Sequence, residues 1–292
     1  MSFFCPFHSN THSPSCSINL ESGAWICFNP SCAESGTLLD LVKRTLQKND
    51  FQALRYIAGY ESAKVDAFDE ALKDILDDKP EFEEFPQDIL NGLHDGLGSN
   101  EKARAYLESR GINTESMKHF KLGYSNKLNM VVTPVHSPDG TPVGIVGRSI
   151  EGKSFKNSTN LPKNKTLFNI HRAKRIGNHV IVVESNFDAI RVHQAGFPNV
   201  VATLGGHVSQ DHIKLLNRYF NKITIMTDAD EAGRGLGKEI ISRLRGKEIM
   251  WASYEYKTIY PHGAKDVGDM TDDEIVQCIK NAVPDIEYRS WL

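Results

Sequence analysis

Two sets of side chains stand at spacings that could do chemistry. Near the N-terminus, Cys5-Pro6-Phe7-His8 and Cys27-Phe28-Asn29-Pro30-Ser31-Cys32 form two short knuckles, each able to offer two ligands. Zinc prefers thiolate and imidazole in a closed tetrahedron, so Cys5, His8, Cys27 and Cys32 make a candidate structural zinc site. His12 lies on the same first loop and competes with His8, while Cys16 has no partner at ligand spacing and reads as a small core residue. Trp25, beside the second knuckle, is either a platform for a stacked base or, more simply, packing for a hairpin.

The second set is acidic. Glu184 closes one apolar run in Val182-Val183-Glu184-Ser185-Asn186-Phe187-Asp188, and Asp228 and Asp230 close another in Thr227-Asp228-Ala229-Asp230. Lys265-Asp266-Val267-Gly268-Asp269 adds two more carboxylates and a cation. Such an oxygen-rich group suits Mg²⁺, which keeps some of its water and bridges phosphates. The ion can lower the pKa of an attacking hydroxyl or neutralise charge on a transferring phosphate. A lone strand-end acid is often a helix N-cap, a role open to Asp188 and Asp230. Three acidic segments converging on one edge point instead to a site. No Ser-His-Asp arrangement or Gly-rich phosphate loop suggests another chemistry.

These residues need elements to position them. Segments 17–20 and 24–27 alternate like strands around the turn Glu21-Ser22-Gly23, and a helix follows from about Thr37 with Leu38, Leu41, Val42 and Leu46 in phase. The stretch 61–100 is acidic and broken by Pro80 and Pro86; Phe68, Leu72, Ile75 and Leu76 suggest one helix within it. Asn100 caps a helix that Gly111 stops. Segments 129–135 and 143–148 read as adjacent antiparallel strands joined at Ser137-Pro138-Asp139-Gly140. From residue 179 the rhythm is strand, helix, strand, helix, which argues for a parallel sheet covered on both faces. Glu184, Asp228 and Asp230 then lie at the carboxyl ends of strands, where open sheets of this kind bind ligands.

Composition sets the frame. The chain has 292 residues, is 40% hydrophobic and 24% charged, and carries a net charge of −3. That suggests about two domains, with room for a small third, and excludes collagen-like and wholly disordered classes. No apolar run approaches the roughly 18 residues of a membrane span, and the N-terminus lacks the pattern of a signal peptide. Five cysteines, four of them before residue 33, fit metal binding in a reducing cytosol better than disulfides. The small net charge hides segregation. Residues 152–183 contain no Asp or Glu but carry Lys153, Lys156, Lys163, Lys165, Arg172, Lys174 and Arg175, whereas ten carboxylates crowd residues 66–88. Such a basic stretch suits a polyanion.

Together these residues resemble a known family. Glu184 with Asp188, and Asp228-Ala229-Asp230 followed by Glu231-Ala232-Gly233, resemble the TOPRIM domain shared by DnaG-type primases, topoisomerases, recombination mediators and certain nucleases. Cys5-Pro6-Phe7-His8 with Ser13-Pro14-Ser15 is similar to the CHC2 zinc-binding domain of bacterial and phage primases. Tyr106–Gly111, Phe120–Tyr124, Pro134-Val135, Gly144–Arg148, Asn157-Ser158 and Leu167–Ile170 resemble the first part of the primase polymerase core, in the family's order. There are departures. The second knuckle is C-x4-C rather than C-x2-C, and Cys16 stands where an aromatic residue is usual. Leu204-Gly205-Gly206 replaces Leu-Gly-Thr, and Asp266-Val267-Gly268-Asp269 replaces Asp-Pro-Asp, which leaves the role of Asp269 open.

The resemblance implies a multidomain α/β protein: a zinc ribbon over 1–60, an acidic helical linker over 61–98, a mixed α+β basic part over 99–177, and a TOPRIM domain over 178–292. It implies that Glu184, Asp188, Asp228, Asp230, Asp266 and Asp269 hold Mg²⁺ or Mn²⁺, with Glu184, Asp228 and Asp230 as the catalytic set. Arg110, Arg148, Lys163, Lys165 and either Lys153 or Lys156 would meet template or nucleotide phosphates. The implied activity is a DNA primase, making short RNA de novo on single-stranded DNA from ribonucleoside triphosphates. Nascent RNA and a separate replicative helicase are further expected partners, in the cytoplasm and away from membranes. Ending at Leu292, the chain leaves no room for a helicase-binding or fused helicase domain, a compact layout suggestive of a viral or plasmid enzyme in a bacterial host. A TOPRIM nuclease and a non-enzymatic zinc/TOPRIM recombination mediator are the alternatives.

Overall fold

The computed structural model describes residues 1–8, 13–59, 82–244 and 246–291. The chain divides into two compact units, Met1–Pro80 and Glu81–Leu292.

In the first unit, β1 (Ser2–Phe3), β2 (Cys16–Ile18), β3 (Ala24–Cys27) and β4 (Ser35–Thr37) make one antiparallel sheet in that order. The β2–β3 turn is held by Asn19, whose Oδ1 accepts from the backbone N–H of Glu21 at 2.8 Å and of Ser22 at 3.0 Å. Helix α1 (Leu38–Leu46) starts at the expected place because Thr37 caps it and Asp40 completes a capping box. Helix α2 (Asp50–Gly59) follows. The core is small: Cys5, Cys16, Trp25 and Cys27, with Phe3, Phe7, Ile18, Cys32 and Leu41 packed against it. Trp25 belongs to that core, with Nε1 donating to the Thr37 carbonyl at 3.0 Å and the Phe7 ring 5.4 Å away. It is packing for the hairpin, not an exposed stacking surface.

The second unit opens with α3 (Gln87–Gly98), α4 (Glu101–Ser109) and α5 (Thr114–His119). An antiparallel sheet follows: β5 (Gly123–Ser125), β6 (Met130–His136), β7 (Pro142–Ser149) and β8 (Phe155–Asn157), in that order. The linker expected over 61–98 therefore ends earlier. Leu90 and Leu97 of α3 are buried, and a Cβ on Gly123 of β5 would stand 2.8 Å from the Leu93 backbone. The helix expected at Phe68–Leu76 lies outside the described residues.

After α6 (Ile170–Ala173), the α/β rhythm appears as read: β9 (His179–Val183), α7 (Asn186–Gln194), β10 (Val200–Ala202), α8 (Gln210–Tyr219), β11 (Lys222–Ile225), α9 (Glu231–Arg243) and β12 (Glu248–Trp251). Then come α10 (Asp272–Lys280), β13 (Val283–Pro284) and α11 (Asp285–Arg289). The sheet order is β10-β9-β11-β12-β13, parallel except for β13, which pairs antiparallel with β12 at the edge. A two-residue strand ending in Pro carries no period to read, and an edge is where Pro is tolerated in a sheet.

Alternation along β9 explains the two covered faces. Ile181 and Val183 join one core with Leu107, Ile112, Phe120 and Ile190, while Val180 and Val182 join the other with Leu216, Ile223 and Ile240. The first of these cores runs through both parts expected at 99–177 and 178–292, so the basic part and the parallel sheet form one body. Gly123→Ala should test the α3 clamp: overpacking against Leu93 should cost about 1–3 kcal/mol and lower Tm. An unchanged melting curve would show that α3 is not held against β5.

Candidate functional site

In the first unit the ligand atoms of Cys5, His8, Cys27 and Cys32 all lie within 4.8 Å of one another. Cys5 Sγ and Cys32 Sγ are 3.7 Å apart, and Cys27 Sγ lies 3.9 Å from His8 Nδ1. Those edges match a tetrahedron with Zn–S bonds of about 2.3 Å, so the four residues fit zinc. His8 turns Nε2 toward Ser15 Oγ at 3.5 Å, leaving Nδ1 for the metal. Cys16 stays outside the set. Burial, reinforced by the neighbouring Cys5 and Cys27 thiols, pushes its pKa up to about 12 and disfavours the thiolate a ligand needs. His12 lies outside the described residues.

In the second unit, the strand ends and the basic part share one cavity of about 630 Å³. Its wall carries Glu184, Asp188, Asp228 and Asp266 together with Arg110, Arg148, Lys153 and Lys163. Glu184 follows β9, and its Oε1 accepts the Asp228 backbone N–H at 3.2 Å, tying two strand ends together. Asp188 is buried on the first turn of α7. Its Oδ2 accepts from Ser185 Oγ at 2.6 Å, completing the capping box of that helix. Asp228 follows β11 on a backbone held from behind: Tyr260 Oη donates to the Thr227 carbonyl at 2.6 Å. Helix α9 comes so close that a Cβ on Gly233 would lie 2.2 Å from the Asp228 carbonyl oxygen.

The other expected residues sit elsewhere. Asp230 is the N-cap of α9, its Oδ1 accepting the Gly233 N–H at 2.8 Å, and it is absent from the cavity wall. Asp269 is also absent from the wall; its Oδ2 accepts the Lys265 N–H at 3.0 Å within its own loop. Between Lys153 and Lys156, the first lines the cavity; Lys156 and Lys165 do not. Lys163 reaches the wall on a loop pinned by His212, whose Nε2 lies 2.7 Å from the Lys163 carbonyl and 3.0 Å from that of Thr166.

Among the wall residues to which the sequence assigned no site role, three carry charge or flank a charge. Phe155 and Phe187 flank the Arg148 guanidinium, with ring centroids 5.1 and 5.3 Å from its carbon. Arg191 also lines the wall; its one sequence signal is its place three residues after Asp188, on the same helix face.

The electrostatics fit a cation. Burial, then the charges of Glu184, Asp188, Asp266 and Asp230, push Asp228 up to about 8. Burial pushes Asp188 up to about 6, against the pull of its Ser185 hydrogen bonds, and raises Glu184 as well. Asp266 Oδ1 is buried without a partner, and a Cβ on Gly268 would sit 2.9 Å from it. Acids that repel one another, with an orphaned oxygen among them, suit a divalent metal. Among the described residues only the Cys/His set draws three or more such ligand atoms within 4.8 Å. The wider carboxylate wall suits an ion that retains water.

Residues 178–250 match the family model described as the Toprim domain. The chain is 29% identical to a DNA primase of Clostridium acetobutylicum, over 98% of its own length and 54% of that protein, and 27% identical to one of Aquifex aeolicus, over 82% and 55%. Its fold matches the zinc-binding and RNA polymerase domains of the Aquifex aeolicus primase with a TM-score of 0.59, at 23% identity, covering 98% of this chain and 80% of that one. A DnaG catalytic domain bound to single-stranded DNA matches with a TM-score of 0.56 at 20% identity, covering 68% and 79%. The parallel-sheet part is thus a Toprim domain. The chain is similar to curated DNA primases over nearly all its residues, and it spans about half the length of the relatives it matches.

Two tests follow. Cys27→Ser should release about one equivalent of zinc and unfold the first unit; unchanged metal content would reject the ligand set. The second concerns charge. In metal-free protein the folded state holds the Asp228 proton more tightly than the unfolded chain, whose value is 3.8. Its stabilising contribution is therefore full below about pH 4 and is lost as pH rises toward 8. Asp228→Asn should flatten that fall in Tm and raise Tm at pH 8 in chelator. An unaltered pH slope would show that the carboxylates do not strain one another.

Proposed function

We propose that this protein is a DNA primase: a metal-dependent DNA-directed RNA polymerase that starts short RNA chains on single-stranded DNA. The observation that carries this reading is the shared wall, where four carboxylates and five cationic side chains line one cavity. Glu184, Asp188, Asp228 and Asp266 would hold Mg²⁺ or Mn²⁺, which when bound supplies charge neutralisation at phosphate and acidifies a hydroxyl. Asp230 and Asp269, outside the cavity wall and each with one oxygen on a loop N–H, would hold the loops on which the ligands stand.

The basic side positions the polyanions. Arg148 Nε is buried without a partner between two rings, a donor ready for a phosphate oxygen. Arg110, Lys153 and Lys163 would share the triphosphate and template charge, and Lys156 and Lys165 would extend the cationic track toward template or nascent RNA. In the reaction the 3′-oxygen of one nucleotide bonds to the α-phosphorus of a ribonucleoside triphosphate. The bond from that phosphorus to the β-phosphate bridge breaks, the hydroxyl proton is lost, and pyrophosphate leaves. Fixed guanidinium and ammonium groups act by orientation and by stabilising charge that moves onto the leaving oxygen. The zinc unit would steady the first nucleotides or select the start sequence, and a separate replicative helicase is a further expected partner.

A Toprim nuclease would need the carboxylates alone. The cations from residues 110–163 are what polymerisation requires in addition. Purified protein given single-stranded templates of defined triplets, four ribonucleotides and Mg²⁺ or Mn²⁺ should make labelled short RNA, and Asp228→Ala should abolish it. Cleavage of DNA without RNA would support the nuclease instead, and tight DNA binding with neither activity a recombination mediator.

A further inference from the structure

We infer that Arg191 is a positioning residue, a brace that sets the metal-binding loop of Asp266 and the phosphate-binding loop of Arg110 at a fixed separation. Arg191 lies on α7, one turn beyond Asp188, and only 5% of its surface is exposed. Its Nη2 donates to the Met270 carbonyl at 2.7 Å and to Asp272 Oδ1 at 2.9 Å, just past the Asp266–Asp269 loop. Its Nη1 donates to the carbonyl of Arg110 itself at 3.4 Å. One side chain thus grips both loops from the helix that carries Asp188.

Gln194, three residues on, repeats the pattern. Its Nε2 donates to the Gly111 carbonyl and to Asp272 Oδ2, each at 2.9 Å, and its Oε1 accepts the Asn113 N–H at 2.9 Å. Asp272 therefore spends one oxygen on each clamp. Gly111 completes the fit: its φ of +73° favours glycine, and a Cβ there would stand 2.1 Å from Arg191 Nη1.

Burying a guanidinium is costly, and here Nε is left without a partner. A hydrophobic residue would fill the space more cheaply, so stability alone does not account for an arginine. Geometry does: Arg110 and Asp266 face each other over Gly268, whose added Cβ would lie 3.4 Å from Arg110 Nη2 and 2.9 Å from Asp266 Oδ1. A metal on Asp266 and a phosphate on Arg110 share that opening. Rigid spacing would make each favour the other.

The inference rests on the metal-dependent reading above, and Mn²⁺ alone is the probe that separates the two. In titration calorimetry, wild-type protein should bind Mn²⁺ at the carboxylate wall. Arg191→Met and Asp272→Asn should each weaken that binding about tenfold, the scale of lost outer-shell support, and raise KM for ribonucleotide more than they lower kcat. The double variant should do no further harm, and Arg191→Lys should fall between. Zinc content and circular dichroism should not change. Mn²⁺ affinity within twofold of wild type in Asp272→Asn, which keeps the shape even if Arg191→Met fails to fold, would overturn the brace while leaving the site intact. Additive losses in the double variant would also overturn it. Absence of wild-type Mn²⁺ binding would overturn both.

Discussion

Four carboxylates must be held close together before any cation arrives to neutralise them, and the second unit is organised around that repulsion. Burial, with the charge of the neighbouring acids, raises Asp228 to about 8 and Asp188 to about 6, so the metal-free site opposes its own charge. Everything adjoining it is a restraint. The Asp228 N–H bridges to Glu184, Tyr260 holds the carbonyl of Thr227, Ser185 locks Asp188, and Gly233 lets α9 press against the Asp228 backbone. Strain of this kind is kept where function uses it, since the ligand that relieves it is then bound tightly.

The two candidate metal centres show how the same need is met in different ways. Around the Cys/His set there are few apolar neighbours, so zinc would supply folding energy outright, and the four ligand atoms lie within 4.8 Å of one another. The carboxylate wall belongs to a body with two large cores that folds on its own apolar surface. Its acids are near enough to repel one another but wider spaced than the Cys/His ligands, leaving space for water and phosphate. One centre closes a fold; the other keeps an opening beside Arg110, Arg148, Lys153 and Lys163.

Much of this was legible in the amino-acid order. Thr37, Asn100 and Ser209 cap helices where local hydrogen bonding dictates, and the strand–helix rhythm after residue 178 follows from buried β-branched runs. The zinc knuckles were legible because their spacing is itself the geometry of two chelating loops. Less legible were residues whose role depends on a partner far along the chain. Asp230 and Asp269 look like Glu184 in sequence, but they lie outside the cavity wall that Glu184 lines, each with one oxygen on a local N–H. The end of the linker was misplaced because α3 is polar enough to pass for a spacer, and only its packing against Gly123 reveals it as part of the core.

By itself the sequence determined most element types, the two candidate zinc knuckles, the segregation of basic from acidic segments and the strand ends on which acids stand. These depend on neighbours within a turn or a hairpin, which chain order encodes directly. The tertiary structure alone decided which acids share a cavity, that Lys153 rather than Lys156 lines it, and that Arg191 joins one loop 81 residues before it to another 79 residues after it. Those facts depend on how separate elements pack. Close packing admits a single arrangement of loops, and no local pattern in the chain records the distance between them.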